Sequence, residues 1–166
     1  MHGSAGAPEV WSLHIASLWK DTRMLIDWLE HAQQGWKDQG VRLGAGLEPA
    51  HVTARLLAAG RGTSTDVLAM FAFCNGMEGG ASDERVFALW PLDRCIAGCT
   101  TYDEPDLPFA DFLISSAEYS FRRESEDRSS VWIRYGGTGE PRRVASSVAE
   151  FFHFFVTEPG RLEIVL

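Results

Sequence analysis

Cys95 and Cys99 have a spacing that could place two metal ligands together, because two thiols four residues apart share one face of a helix. A zinc site needs two further ligands at suitable spacing. The five histidines do not supply them, since they are scattered and form no His-x-x-x-His or His-Glu-x-x-His unit. We therefore interpret the two cysteines as small buried residues of a short helix. The sequence predicts no metal site.

Cys74 is the other candidate nucleophile, and it would need a histidine to accept its proton. It lies in a strongly apolar helical pattern, where a thiol is usually inert. His153 stands between two phenylalanines, which is more typical of a packed helix residue than of a general base. The glycine-rich runs 60–63 and 136–139 lack the Gly-x-x-x-x-Gly-Lys-Ser/Thr pattern of a phosphate loop. We therefore predict no catalytic residue, no cofactor and no enzymatic activity. A cryptic hydrolase is the least favoured alternative.

Acidic residues are concentrated between Asp103 and Asp127, where eight carboxylates stand against two arginines and give −6 of the chain's net −8. Complementary charge speeds encounter with an electropositive partner and rejects wrong partners. An aromatic residue beside acidic ones is good material for a binding hot spot. A solvated loop with polar strand faces explains the same residues equally well. The predicted partner-binding residues are Asp103, Glu104, Asp106, Tyr119, Glu124, Glu126 and Asp127.

The composition is that of an ordinary globular protein, with 166 residues, 45% hydrophobic and 23% charged. This length fits one domain, which we predict to cover residues 1–166. The negative charge disfavours nucleic-acid binding, since phosphates are bound by clustered lysine and arginine. No apolar stretch approaches the roughly 20 residues of a membrane span, and no secretory signal is visible. Three cysteines do not make a disulfide framework. We expect a cytoplasmic protein.

The first helix is predicted from Glu9 to about Gln34, where apolar residues recur at helical spacing. It is either one long amphipathic helix or two helices joined near Lys20-Asp21, and it forms an added layer or an oligomer contact. Four more helices follow from capping and breaking residues. They are predicted from Glu48-Pro49 to Gly60, from about Ser64 to Asn75-Gly76, from about Trp90 through Cys99, and from a Ser147–Glu150 capping box to Pro159-Gly160.

Strands are predicted at 84–89, 109–115, 117–123 and 130–135, with residues 162–166 as a further edge strand. The order of the elements is helices, a strand meander and a closing helix. This order predicts an α+β fold, with a mostly antiparallel sheet of about 4–6 strands and helices packed against it.

Four segments of the chain occur together in an order that is hard to obtain by chance. They are 73–77 at a helix end, 89–92, 109–115 with Tyr119, and 144–152, and the helix start at 47–49 precedes them. On these segments the sequence resembles the SUKH superfamily, specifically its Smi–Knr-type domains. The resemblance covers about residues 47–158 and leaves 1–46 as a helical N-terminal extension. Members commonly have Leu-Pro where this chain has Gly62-Thr63-Ser64-Thr65.

The resemblance implies an α+β domain with no catalytic apparatus of its own. Bacterial members are regarded as immunity proteins that bind and neutralise toxins, and fungal relatives act in cell-wall assembly through protein contacts. The leading hypothesis is therefore a non-catalytic, immunity-like module that occludes a basic toxin such as a nuclease. The alternative is a regulatory scaffold that binds an endogenous cellular protein.

Overall fold

The computed structural model describes residues 9–101, 105–136 and 139–164, with side chains from residue 16 onward and except at residue 101. The helices in these ranges are α1 (Glu9–Asp38), α2 (Pro49–Ala58), α3 (Thr65–Phe73), α4 (Leu92–Gly98) and α5 (Val148–Thr157). The strands are β1 (Leu43–Ala45), β2 (Cys74–Met77), β3 (Phe87–Leu89), β4 (Leu107–Phe112), β5 (Ala117–Arg123), β6 (Ser129–Tyr135) and β7 (Arg142–Ala145).

The predicted α+β fold is confirmed. Strands β3 to β7 form one antiparallel meander in chain order, and β1 pairs with β2 in a separate two-stranded sheet. The predicted strand 117–123 coincides with β5. Strand β7 has the sequence Arg-Arg-Val-Ala, and we did not predict it because it lacks a clear alternating pattern.

Helix α1 is one continuous helix, which decides between the two alternatives for the N-terminal segment. Among its described side chains, Leu25, Leu29, Ala32 and Trp36 are buried. Their spacing of three or four residues keeps them on one face, which packs against α3 and α5. The helix is therefore anchored to the rest of the molecule through its second half.

The predicted stop of α3 at Asn75-Gly76 is wrong, because both residues belong to strand β2. The Asn75 Oδ1 atom accepts a hydrogen bond from the backbone N–H of Leu92 at 2.8 Å, at the start of α4. Gly76 has a φ of +70°, and a Cβ atom there would lie 2.4 Å from the backbone nitrogen of Pro91. The two residues thus hold β2 against the beginning of α4.

Aromatic rings fill the space between the sheet and α5. The ring centroid of Phe151 on α5 lies 5.2 Å from that of Tyr119 and 5.4 Å from that of Phe109. From α1, the Trp36 ring lies 5.3 Å from the Phe155 ring. Offset and edge-on contacts of this kind add to the free energy gained by burial. These rings therefore form the centre of the core.

The capping box predicted at the start of α5 is present, with one difference. The Ser147 Oγ atom accepts a hydrogen bond from the Glu150 N–H at 3.0 Å. The Glu150 carboxylate accepts from the N–H and hydroxyl of Ser146, one residue before the helix cap. Burial opposes ionisation, yet these hydrogen bonds lower the pKa of Glu150 below its ordinary value.

Several predicted strand positions are wrong. The strand predicted at 84–89 begins only at Phe87, and the strand predicted at 109–115 begins at Leu107. Strand β4 ends at Phe112, and Leu113, Ile114 and Ser115 form a left-handed turn with φ of 54°, 53° and 63°. The predicted edge strand at 162–166 is also absent within the described residues. A 3-10 helix covers Pro159–Leu162 and no strand includes residues 163–164, while residues 165–166 lie outside the described range.

The turn of Leu113, Ile114 and Ser115 leads to a stability prediction. A non-glycine residue with left-handed φ costs roughly 1–2 kcal/mol, and Ile114 gains little from burial because its side chain is 85% exposed. We expect Ile114→Gly to raise the free energy of unfolding by about 0.5–1 kcal/mol in urea denaturation. Ile114→Ala keeps a Cβ atom and should give no such gain. Equal effects of the two substitutions would contradict this explanation.

Candidate functional site

The turn between β5 and β6, residues 124–128, carries three of the predicted partner-binding residues: Glu124, Glu126 and Asp127. We call it the acidic turn. The N–H groups of Glu124 and Ser125 donate to the carbonyl oxygen of Arg128 at 3.0 and 3.1 Å. The Ser125 Oγ atom accepts from the N–H groups of Asp127 and Arg128, both at 3.2 Å. The shape of the turn is therefore fixed by its own hydrogen bonds.

Helix α3 also holds this turn in place. The N–H of Thr65 donates to the Glu126 carbonyl oxygen at 2.9 Å, and the N–H of Asp66 donates to the Asp127 carbonyl oxygen at 3.2 Å. These two N–H groups lie in the first turn of α3, where no partner within the helix exists for them. The acidic turn thus caps α3, and the helix in return fixes the turn.

The carboxylate of Asp66 joins three parts of the chain. It accepts from the N–H of Val67 at 2.9 Å, from the N–H of Ser129 at 3.1 Å and from the N–H of Val148 at 3.4 Å. The Ser64 hydroxyl donates to it at 2.5 Å. Its negative charge lies at the N-termini of both α3 and α5, where the helix dipoles favour it.

Burial and hydrogen bonding act in opposite directions on Asp66. Burial raises the pKa of its carboxyl above the ordinary value, and the hydrogen bonds from Ser64, Ser129, Val148 and Val67 offset part of that rise. The net result is a raised pKa. The ionised form is therefore costly at this position, and its hydrogen-bond donors limit that cost.

A groove of about 300 Å³ lies between α1 and the acidic turn. Helix α1 supplies one wall with Ser17, Leu18, Asp21, Thr22 and Met24. This stretch of α1 comes immediately before Leu25, the first buried residue of the helix among its described side chains. Among the described side chains, the groove thus adjoins the stretch of α1 just before its buried face begins.

The opposite wall of the groove comes from three elements. Helix α3 contributes Asp66, and the acidic turn contributes Ser125, Asp127 and Arg128. Ser147 and Ala149 come from the start of α5. The groove therefore combines carboxylates with apolar and small side chains. The lining also includes the cationic side chain of Arg128, next to Asp127.

The structure does not bring all the predicted partner-binding residues together. Tyr119 has no exposed surface, and its hydroxyl donates to the carbonyl oxygen of Leu162 at 2.6 Å. Asp106 is buried and accepts from two nitrogens of Arg122 at 2.9 and 2.7 Å. We therefore assign both residues to the interior. Asp103 and Glu104 lie outside the described residues.

Sequence reasoning did not include Asp21, Met24 and Asp66 in the site. From the sequence, Asp66 was predicted only as one of the capping residues at the start of a helix. Its bonds to Ser129 and Val148 span 63 and 82 positions, and no local pattern indicates partners so distant. Asp21 and Met24 belong to a helix whose position against the acidic turn depends on the tertiary fold.

The three cysteines are free and buried, as predicted for Cys95 and Cys99. Burial raises the pKa of Cys74 to about 11, and burial together with the nearby Cys99 raises that of Cys95 still further. A thiol must ionise to act as a nucleophile, so Cys74 and Cys95 are held in their unreactive form. Among the described residues, no three His, Cys, Asp or Glu side chains are grouped as metal ligands.

Comparison with known proteins finds neither a matching family model nor a matching curated protein. Within the described part of the chain, none of the helices combines the length and the apolar character needed to cross a membrane.

Burial of the three thiols gives a direct chemical test. We expect Cys74, Cys95 and Cys99 to remain unmodified when the native protein is treated with a thiol reagent such as Ellman's reagent at neutral pH. All three should react after denaturation in guanidinium chloride, which serves as the control. Rapid reaction of a cysteine in the native protein would show that its thiol is accessible and would reopen a nucleophilic role.

Proposed function

We propose that this chain is a non-catalytic protein-binding module of the cytoplasm, which acts like an immunity protein by binding and occluding a basic toxin. The resemblance to Smi–Knr-type domains of the SUKH superfamily motivates the biological role. The acidic turn is the structural feature that supports the binding role. Glu124 and Glu126 are exposed there, and Asp127 is half-exposed beside them.

Preorganisation is the physical reason for choosing the acidic turn. Ordering a loop on binding costs free energy and weakens the complex. The hydrogen bonds of Thr65 and Asp66 to the turn already hold its backbone before a partner arrives. Its carboxylates are thus presented at a defined position without an ordering cost for the backbone.

The electric field of this surface is smaller than the sequence suggests. Asp106 and Asp111 are buried and paired with Arg122 and Arg94, so neither adds an unscreened surface charge. Arg123 precedes the acidic turn and Arg128 is its last residue, and both offset part of its charge. Electrostatic attraction therefore contributes to steering, while shape and apolar contact supply the remaining affinity.

Charge reversal at the acidic turn tests the electrostatic part of this proposal. We expect Glu124→Lys, Glu126→Lys and Asp127→Lys, combined in one variant, to slow association with a basic toxin encoded next to this gene by at least about tenfold at low salt. Surface plasmon resonance over a range of salt concentrations measures the rate. The difference from the unmodified protein should shrink as salt increases.

The matched control reverses the same number of exposed carboxylates elsewhere, with Glu30→Lys, Asp38→Lys and Glu140→Lys. This control variant should associate with the toxin within about twofold of the rate of the unmodified protein. Its net charge changes by the same amount as that of the acidic-turn variant, so the difference between the two variants reports the effect of position. Equal slowing in both variants would mean that only the net charge matters. Failure of the unmodified protein to bind any neighbouring toxin, together with capture of an endogenous protein, would favour the regulatory scaffold.

A further inference from the structure

Strand β6 carries a tryptophan on the face of the sheet that points away from the core. Side chains along a strand point alternately to its two faces, and Val131 and Ile133 are buried in the core. Trp132 lies between them, so its ring is on the opposite face, where it is half-buried. Tryptophan is one of the residue types that most often dominate the energy of a protein interface. The exposed part of this ring is therefore a candidate contact.

Two neighbouring side chains hold the Trp132 ring in place. Its Nε1–H donates to the Ser130 Oγ atom at 2.8 Å. The Arg122 guanidinium lies over the ring, with its Cζ atom 4.0 Å from the ring centroid. Arg122 is fixed in turn, since two of its nitrogens donate to the Asp106 carboxylate. The ring is thus oriented before a partner arrives, and binding does not have to order it.

The same hydrogen bonds connect Trp132 to the acidic turn. Ser130 is fully buried, and its hydroxyl donates to the carboxylate of Glu124. The hydroxyl therefore accepts from Trp132 and donates to Glu124, which agrees with its one hydrogen and two lone pairs. One buried side chain sets the ring and the exposed Glu124 relative to each other. A partner that reaches Glu124 is thus only two hydrogen bonds away from the ring.

We propose that Trp132 is the apolar anchor of the acidic turn, and that a basic protein bound at the turn packs an uncharged apolar side chain against its ring. This inference rests on the proposed function and names the residue that supplies the apolar contact. Complementary charge mainly sets the rate of encounter, while a buried aromatic anchor supplies affinity. The two features therefore divide the work of binding between them.

Arg122 is the reason for assigning an uncharged group to the ring. Its guanidinium already occupies the position that a cation takes over an aromatic ring. The basic residues of a partner are instead attracted to the exposed carboxylates of Glu124 and Glu126. A second copy of this chain is a poorer occupant, because each copy carries a net charge of −8 and the two repel each other.

Replacement of Trp132 by threonine tests this assignment. Threonine is β-branched and suits a strand, so Trp132→Thr removes the ring with little effect on strand propensity. We expect the complex with a basic toxin encoded next to this gene to dissociate at least about tenfold faster, with the association rate changed less than about twofold. Surface plasmon resonance separates the two rates, and charge reversal at the acidic turn should act mainly on association.

The matched control is Tyr135→Thr on the same strand. Tyr135 is three residues from Trp132, so it lies on the other face, and it is 46% exposed. This variant should leave both rates within about twofold of those of the unmodified protein. Trp132→Phe keeps a ring but loses the N–H, and its dissociation rate should lie between those of the unmodified protein and Trp132→Thr. Circular dichroism and urea denaturation show whether each variant is folded.

Photo-crosslinking gives a second readout that does not depend on removing an aromatic ring. We expect Trp132→p-benzoylphenylalanine to form a covalent adduct with the bound toxin on irradiation. The same crosslinker placed at Tyr135 should give none, because that face is turned away from the proposed contact.

Equal acceleration of dissociation by Trp132→Thr and Tyr135→Thr would overturn the inference, as would crosslinking from position 135 alone. If charge reversal at the acidic turn slows association as predicted but Trp132→Thr leaves dissociation unchanged, the inference fails while the proposed function stands. If no basic toxin binds the unmodified chain, the proposed function and the inference both fail.

Discussion

The carboxylate of Asp66 is the group on which the arrangement of the candidate site depends. It accepts hydrogen bonds from the start of α3, the start of β6 and the start of α5. Backbone N–H groups at helix N-termini need partners from outside the helix, and a carboxylate can serve several of them. One side chain therefore fixes the relative positions of three elements whose sequences lie far apart.

Two features of the proposed binding surface follow from this arrangement. The acidic turn precedes β6 directly, so fixing Ser129 also fixes the turn, and the Thr65 N–H adds a second attachment through Glu126. The start of α5 and the acidic turn face α1 across the groove. The fold thus sets carboxylates in a defined place across the groove from α1, whose wall mixes polar residues with Leu18 and Met24.

The features that sequence reasoning predicted correctly depend on residues close together in the chain. The apolar stripe of α1, the alternating pattern of β5 and the Ser147 cap of α5 are all of this kind. The errors arise where tertiary contacts override a local signal. Asn75-Gly76 has the composition of a helix stop, but Asn75 instead accepts from the Leu92 N–H. The acidic segment does not form one surface, because Asp106, Asp111 and Tyr119 are buried.

Backbone amide exchange measured by NMR tests the role of Asp66 most directly. In the unmodified protein, we expect the N–H groups of Ser129 and Val148 to exchange slowly. In Asp66→Ala, both should exchange at least about tenfold faster, while the amides of Ile133 and Phe151 in the core remain protected. Unchanged protection of Ser129 and Val148 in this variant would contradict the account, because other contacts would then hold the three elements together.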